Sequence, residues 1–181
     1  MRDIHTLVED TRQKIMERAD LAAIVRQRQQ QGERAVFTNG CFDLLHLGHV
    51  RYLQEARALG DFLIIGLNDD AGVRLLKGAG RPLIAQQERA ELLAALSFVD
   101  YVTIFSEPTA GPLVEQLRPA IYVKGGDYAQ ARSQQPDSRR LPEARVVEGY
   151  GGMVRLIPYL PRHSTTALIE AIKQLPDASS Q

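Results

Sequence analysis

The sequence has little cysteine, no net charge and no long apolar run, and each absence excludes a class of protein. Cys41 is the only cysteine among 181 residues, so neither an intrachain disulfide nor a cysteine-rich zinc site can form. The 22 lysines and arginines balance 22 aspartates and glutamates, which removes the basic bias of a dedicated nucleic-acid binder. No apolar stretch reaches the roughly 18 residues of a membrane-spanning helix. We therefore expect a cytoplasmic protein in a reducing compartment, with no secretion signal, membrane anchor or nucleic-acid partner.

What is present is an ordinary globular composition, with 44% hydrophobic and 24% charged residues. This excludes wholesale disorder and fibrous repeats, and no internal repeat is visible. The length favours one domain. Apolar residues at helical spacing predict amphipathic helices over residues 1–32, the main domain then spans 33–175, and we expect a flexible tail over 176–181.

Strand-like and helical patterns alternate along the main domain. The short apolar runs AVFT, DFLIIGLN, YVTIF and AIYVKGG are separated by helical patterns of ten to fifteen residues. This alternation predicts a Rossmann-like α/β fold, a doubly wound parallel sheet with helices on both faces. Ligands in such folds bind beyond the carboxyl ends of the strands, where TNGCFD, GLNDD and VKGGDY lie.

The C-terminal third contains a long polar run followed by shorter strand-like and helical patterns. The polar run AQARSQQPDSRRLPE predicts a solvent-exposed, partly mobile loop, and ARVVE and MVRLIPYL predict two further strands around Gly149–Gly152. STTALIEAIKQL predicts a last helix, with Ser164 or Thr165 as its N-cap.

Two histidines stand where the first strand and its loop meet the next helix. His46 and His49 are separated by two residues at the helical opening turn, where backbone N–H groups and the helix dipole attract phosphate. Gly48 lets a phosphate chain approach the backbone, and imidazoles can donate hydrogen bonds to phosphoryl oxygens in a transition state. Taken alone, the pair could also be ordinary surface or core histidines. A zinc site would need a third ligand from His5, His163 or carboxylates.

The string TNGCFDLLHLGH resembles the signature of the cytidylyltransferase-like branch of the nucleotidyltransferase superfamily. GLNDD, RLLKGAGRPL, ERAELLAAL, VKGGDY, GYGG and STTALIEAI follow in the order found in the ADP-heptose synthase adenylyltransferases. The resemblance runs from about Leu21 to Lys173. Two features depart from the pattern: the family's glycine before Ser-Thr-Thr is missing in Leu160–Ser164, and the 129–140 segment is long.

The resemblance implies roles for individual residues. The catalytic set that handles phosphate comprises His46, His49, Lys77 and Lys124. The nucleotide-binding residues are Thr38, Asn39, Gly40, Phe42, Gly48, Ser164, Thr165 and Thr166. The substrate-binding residues are Arg81, Gly125, Gly126 and Asp127. The resemblance implies no protein metal ligand, since Mg²⁺ would be bound mainly through the phosphates of ATP, and we expect Asp43 to brace the loop.

Without the resemblance, the residue types and their positions support these roles to different degrees. Lys77 and Arg81 bracket two glycines, which fits a mobile basic loop over a triphosphate as well as a solvated turn. Lys124 ends an apolar strand, so its ammonium emerges at the ligand edge. Ser-Thr-Thr, at 164–166, could be only a helix cap. Cys41 is expected to be a small packed hydrophobe rather than a nucleophile.

The implied reaction is transfer of AMP from ATP to a sugar 1-phosphate, D-glycero-β-D-manno-heptose 1-phosphate, releasing pyrophosphate. The product, ADP-heptose, would serve a bacterial surface glycan such as lipopolysaccharide. Two alternatives stay open: a CTP-dependent transferase acting on glycerol 3-phosphate or a similar phosphoester, and a catalytically silent nucleotide-binding module. A homodimer and functional coupling to a sugar kinase are also open.

Overall fold

One five-stranded parallel sheet organises the chain. The computed structural model describes residues 9–125, 141–158, 160 and 163–175. The strands are β1 (Ala35–Gly40), β2 (Phe62–Asn68), β3 (Tyr101–Phe105), β4 (Ile121–Gly125) and β5 (Met153–Ile157). They lie in the order β3-β2-β1-β4-β5, and every neighbouring pair is parallel. The strand order reverses between β1 and β4, which opens a crevice at their carboxyl ends.

Helices cover both faces of this sheet. They are α1 (Arg18–Gln30), α2 (Leu47–Arg57), α3 (Asp70–Lys77), α4 (Gln86–Ala94), α5 (Gly111–Leu117), α6 (Ala144–Gly149) and α7 (Thr165–Lys173). Buried residues of α1, α5 and α6 form one core layer, and those of α2 and α4 form the other. The predicted Rossmann-like doubly wound sheet is confirmed.

The central strands explain why these apolar runs become strands. All seven residues of β2 are buried, because helices cover the sheet on both sides. Phe37 and Ile64 face one core layer, while Val36 and Leu63 face the other. Each fully buried aliphatic or aromatic side chain contributes about 2 kcal/mol. Gly66 is required in β2 because a Cβ there would lie 2.7 Å from the Phe37 ring.

The N-terminal part of the described chain packs on the edge of the sheet. Residues 9–12 are helical, and Ile15 forms a parallel bridge with Val102 of β3. The Met16 amide donates to the Val102 carbonyl at 2.9 Å, and the Val102 amide donates to the Lys14 carbonyl at 2.8 Å. The segment therefore protects an edge strand. The proposed division at residue 32 stays a prediction.

Two predictions for the C-terminal third are wrong. ARVVE is not a strand but the start of α6, because Ala144 and Val147, three residues apart, are both buried against α5 and the sheet. The end of the predicted exposed loop is also buried, with Leu141 and Glu143 at 2% and 4% exposure. MVRLI does form β5, and α7 begins as predicted.

Other predictions fall outside the described residues. These are the rest of the 129–143 loop and the 176–181 tail. Within the described part of the chain, no helix is long and apolar enough to cross a membrane.

Candidate active site

A cleft of about 590 Å³ lies at the carboxyl edge of the sheet. It is formed by the loop after β1, the ends of α3 and β4, and the starts of α2, α6 and α7. Most of the residues singled out from the sequence line it: Asn39, Gly40, Phe42, His46, His49, Lys77, Arg81, Lys124, Gly125, Ser164, Thr165 and Thr166. Gly126 and Asp127 lie outside the described residues. The structure thus brings together residues that are up to 127 positions apart in the sequence.

The two histidines form a stacked pair at the beginning of α2. Their ring centroids are 3.8 Å apart with an interplanar angle of 20°, and the edge of Phe42 packs against His49 at 5.2 Å. Burial lowers the pKa of His49 to about 4, with a further contribution from His46, while the Leu44 backbone acts in the opposite direction. Burial and the charge of His163 also lower the pKa of His46. Both imidazoles are therefore neutral near pH 7, and each carries one N–H.

One nitrogen of each imidazole has hydrogen-bonding capacity that the described residues do not use, while the His49 ring also makes a hydrogen bond to the Leu44 backbone. The Nδ1 atoms of His46 and His49 are buried, and neither has a hydrogen-bond partner within the described residues. A buried polar atom without a partner is costly, so such atoms cluster where a ligand completes the network. The pair is suited to meeting phosphoryl oxygens.

Two predicted ligand contacts lie beneath the cleft instead of lining it. Thr38 is fully buried, and its hydroxyl lies 2.6 Å from the Tyr52 hydroxyl, which donates to the Val123 carbonyl at 3.1 Å. Gly48 also has a structural reason to be glycine, since a Cβ would lie 2.9 Å from the His46 ring and 3.1 Å from the His163 Cβ. Gly48 therefore leaves room for the His46 imidazole, and approach of a phosphate chain to the Gly48 backbone stays a prediction.

Lys124 lies at the carboxyl end of β4. Its Nζ donates to the side-chain and backbone oxygens of Asn39 at 3.0 and 3.2 Å. Burial lowers the pKa of Lys124, and the charge of Glu143 opposes that change. Burial likewise raises the pKa of the Cys41 thiol, which disfavours the thiolate that a nucleophile would need.

The basic loop after α3 is tied to the loop after β1. Asp43 accepts hydrogen bonds from the Leu83 and Ile84 amides at 2.7 and 3.2 Å and forms an ion pair with Arg81. The expectation that Asp43 braces the loop is confirmed. Arg81 lines the cleft, yet its guanidinium is already engaged by Asp43. Lys77 is the last residue of α3 and lines the cleft without such a constraint.

A second helix begins at the cleft. Ser164 is the N-cap of α7, and its hydroxyl accepts from the Ala167 amide at 3.1 Å. The Thr165 hydroxyl donates to the Leu44 carbonyl at 3.4 Å, while Thr166 is exposed. The capping role of Ser164 is therefore established, and contact with phosphate stays a prediction.

Sequence reasoning missed Arg89, which has no exposed surface. Its guanidinium donates to the carbonyls of Ile84, Asn68 and Cys41 at 2.9, 3.0 and 2.5 Å and to Asp70 at 2.7 Å. Arg89 therefore joins the loops after β1 and β2 to the basic loop. The available signal was its position on the apolar face of α4, four residues before Leu93.

Two further residues line the cleft: His163, named from the sequence only as a candidate zinc ligand, and Glu143, for which no role was predicted. His163 lines the cleft near the stacked pair. Glu143 accepts a hydrogen bond from the Ala110 amide at 3.0 Å, which offsets part of the cost of burying this acidic side chain. Within the described ranges, no three or more histidine, cysteine or acidic residues are arranged to hold a metal ion.

Comparison with known proteins gives a consistent result. A family model described as cytidylyltransferase-like matches residues 37–171. Proteins named bifunctional protein HldE from Geotalea uraniireducens and Geobacter sulfurreducens are 52% and 53% identical to this chain over 91% and 84% of its length. These matches cover 32% and 29% of those proteins, so the chain spans about a third of the length of the curated relatives it matches.

A solved structure is also similar. The crystal structure of the lipopolysaccharide core biosynthesis protein from Thermoplasma volcanium has a TM-score of 0.55 and 27% sequence identity. The match covers 71% of this chain and 98% of that one. The family match covers β2 to β5, all but the first two residues of β1, and the stacked histidines, so the resemblance seen in the sequence is confirmed: this chain belongs to the cytidylyltransferase-like family and is a nucleotidyltransferase.

Proposed function

We propose that this chain transfers AMP from ATP to D-glycero-β-D-manno-heptose 1-phosphate, giving ADP-heptose and pyrophosphate. The observation that carries the proposal is the stacked pair of neutral imidazoles, facing the same cleft as Lys77 and Lys124 at the reversal of strand order. Such a set binds phosphates and offers no activated nucleophile. The heptose branch is supported by the relatives named HldE and by the similarity to a lipopolysaccharide core biosynthesis protein.

The reaction is an in-line displacement at the α-phosphorus of ATP. An oxygen of the sugar phosphate forms the new O–P bond, and the bond to the β-phosphate breaks, so pyrophosphate leaves with the electron pair. The attacking phosphate monoester has a second pKa of about 6 and is largely ionised at neutral pH, so it needs no general base. Catalysis then consists of positioning and charge stabilisation.

The chain supplies both. His46 and His49 donate hydrogen bonds to phosphoryl oxygens. The backbone amides and the positive end of the helix dipole at the N-terminus of α2 attract the same negatively charged phosphates. Lys77 and Lys124 offset the charge of the phosphates from the other walls of the cleft. Desolvation strengthens each of these interactions.

The donor set fits Mg²⁺ bound mainly through the nucleotide. Mg²⁺ prefers oxygen ligands and retains several waters, and it would supply positive charge that offsets the charge of the phosphates. The carboxylates that line the cleft within the described residues are Asp43 and Glu143, and both already accept backbone hydrogen bonds. The protein residues therefore hold the phosphates rather than the ion.

The proposal extends to the setting of the reaction. We propose that the reaction takes place in the cytoplasm, that it is coupled to a sugar kinase that supplies the sugar 1-phosphate, and that the chain forms a homodimer. Cell fractionation, pull-down of a kinase and light scattering of the purified chain test these three statements separately.

The experiment is a pyrophosphate-release assay with Mg²⁺ that crosses ATP and CTP with heptose 1-phosphate and glycerol 3-phosphate. Release with ATP and heptose 1-phosphate alone supports the proposal. Pyrophosphate release with CTP and glycerol 3-phosphate would show that both proposed substrates are wrong. Nucleotide binding without any pyrophosphate release would favour a catalytically silent nucleotide-binding module.

Variants test the residue that carries the mechanism. His49→Asn should lower turnover by about a hundredfold or more, while Glu55→Gln, exposed on the same helix, leaves it unchanged. Equal turnover of wild type and His49→Asn would remove the histidine pair from the mechanism.

A further inference from the structure

The side chain of Asn39 is held by two donors. Its Oδ1 accepts from the Tyr122 hydroxyl at 2.8 Å and from the Lys124 ammonium at 3.0 Å. With both donors on the oxygen, the amide orientation is settled, because turning the amide over would place its NH₂ against a hydroxyl donor and a cation. The Asn39 NH₂ is thereby directed away from these two groups.

The register of the sheet explains why these residues meet. Phe37 of β1 lies opposite Tyr122 of β4, and their rings stack with centroids 6.1 Å apart. Two residues further along each strand, on the same face, lie Asn39 and Lys124. The aromatic pair is buried below, and the polar pair is at the cleft.

Within the part of the chain that the structure describes, the Tyr122 hydroxyl is linked to the cleft through Asn39. It has no exposed surface and does not line the cleft, whereas Asn39 and Lys124 do. A ligand therefore meets the Asn39 amide and the Lys124 ammonium, whose geometry the Tyr122 hydroxyl influences from beneath. Glu143 also influences Lys124, but it acts through its charge rather than through a hydrogen bond to Asn39.

We infer that Tyr122 is a positioning residue: its hydroxyl orients the Asn39 amide, which holds the Lys124 ammonium against β1 at the strand-order reversal. The inference rests on the proposed function, in which Lys124 offsets phosphate charge. A long flexible lysine would otherwise lose side-chain entropy when it engages the transition state. Because the Tyr122 hydroxyl helps to fix this arrangement before the substrates bind, Lys124 loses less side-chain entropy during the reaction.

The test is a double-mutant cycle in the full chain. Tyr122→Phe deletes the hydroxyl and keeps the ring, and it should lower kcat about tenfold while each KM stays within about twofold. In the Lys124→Ala background the same substitution should change kcat by less than about twofold, because the group it positions is gone. Tyr150→Phe, which deletes a hydroxyl that donates to the Pro119 carbonyl, is the matched control and leaves kcat unchanged. Equal losses in both backgrounds would assign Tyr122 a general packing role and overturn the inference.

A second readout does not depend on turnover. Lys124 is acetylated with acetic anhydride and the product is measured by mass spectrometry. Acetylation should be about threefold faster in Tyr122→Phe than in wild type, because the Asn39 amide that accepts a hydrogen bond from the ammonium is no longer held in place. Labelling of Lys77 should not change. Faster labelling in a protein that lacks transferase activity would support the inference and reject the proposed function, whereas unchanged labelling would overturn the inference in an active enzyme as well.

Discussion

Acidification should destabilise this protein through His49. The perturbation is a change from pH 7 to pH 5, and the comparison is between wild type and His49→Asn, which cannot titrate at this position. Burial and the neighbouring His46 hold the pKa of His49 at about 4, below its ordinary value of 6.5. The unfolded chain therefore binds a proton more readily than the folded protein in this range.

The sign and size follow from proton linkage. Since the folded pKa is lowered, stability falls as pH drops below 6.5, and the full cost is reached near pH 4. The shift corresponds to about 3 kcal/mol in full, of which about 2 kcal/mol develops between pH 7 and pH 5. The side chain is half-buried, so solvent does not remove the effect.

Urea unfolding at both pH values measures it. The free energy of unfolding of wild type should fall by about 2 kcal/mol more than that of His49→Asn over this interval. Carboxylates elsewhere titrate in both proteins and cancel in the difference. Parallel pH dependences of the two proteins would refute the assignment of His49 as a buried neutral imidazole.

Three substitutions test the loops around the cleft. Arg89→Met leaves Asp70 and three loop carbonyls without their hydrogen-bond donor, so it should lower the free energy of unfolding by about 3 kcal/mol. The control, Arg12→Met, removes an exposed ion pair and should lower the free energy of unfolding by less than about 0.5 kcal/mol in the same urea titration. Asp43→Asn removes the charge that holds the basic loop, so steady-state kinetics should show kcat/KM for ATP falling about tenfold, and loss of the buried ion pair should also lower the melting temperature; unchanged kcat/KM in the folded variant would contradict that role. Cys41→Ser should cost about 1 kcal/mol of stability and keep kcat within about twofold; a folded but inactive variant would restore Cys41 as a candidate nucleophile.

Much of the fold could be predicted because its signals are local. The β2 run is apolar throughout, as expected for a strand covered on both faces, and its spacing from the next apolar run requires a crossover. The start of α6 was mistaken for a strand since Ala144–Glu148 is too short to show a helical period and contains adjacent valines. Contacts with α5 and the sheet decide its conformation.

The site could be predicted where ligand groups follow one another in sequence. His46 and His49 are three residues apart at one helix start, so their proximity needs no knowledge of the fold. Arg89 could not be found this way, because one of the carbonyls it holds belongs to Cys41, 48 positions earlier. The resemblance implied that Thr38 contacts the nucleotide, but side chains alternate between the two faces of β1, and the Thr38 hydroxyl lies against Tyr52 instead.

Bond cleavage should occur at the α-phosphorus of ATP. The most direct measurement is incubation of the purified chain and heptose 1-phosphate with ATP labelled at either the α- or the γ-phosphate, followed by separation of the products. Label from the α-phosphate should appear in the nucleotide sugar, and label from the γ-phosphate should appear in pyrophosphate. Label from the γ-phosphate on the sugar would identify phosphoryl transfer instead, and it would contradict the mechanism built on the stacked histidines.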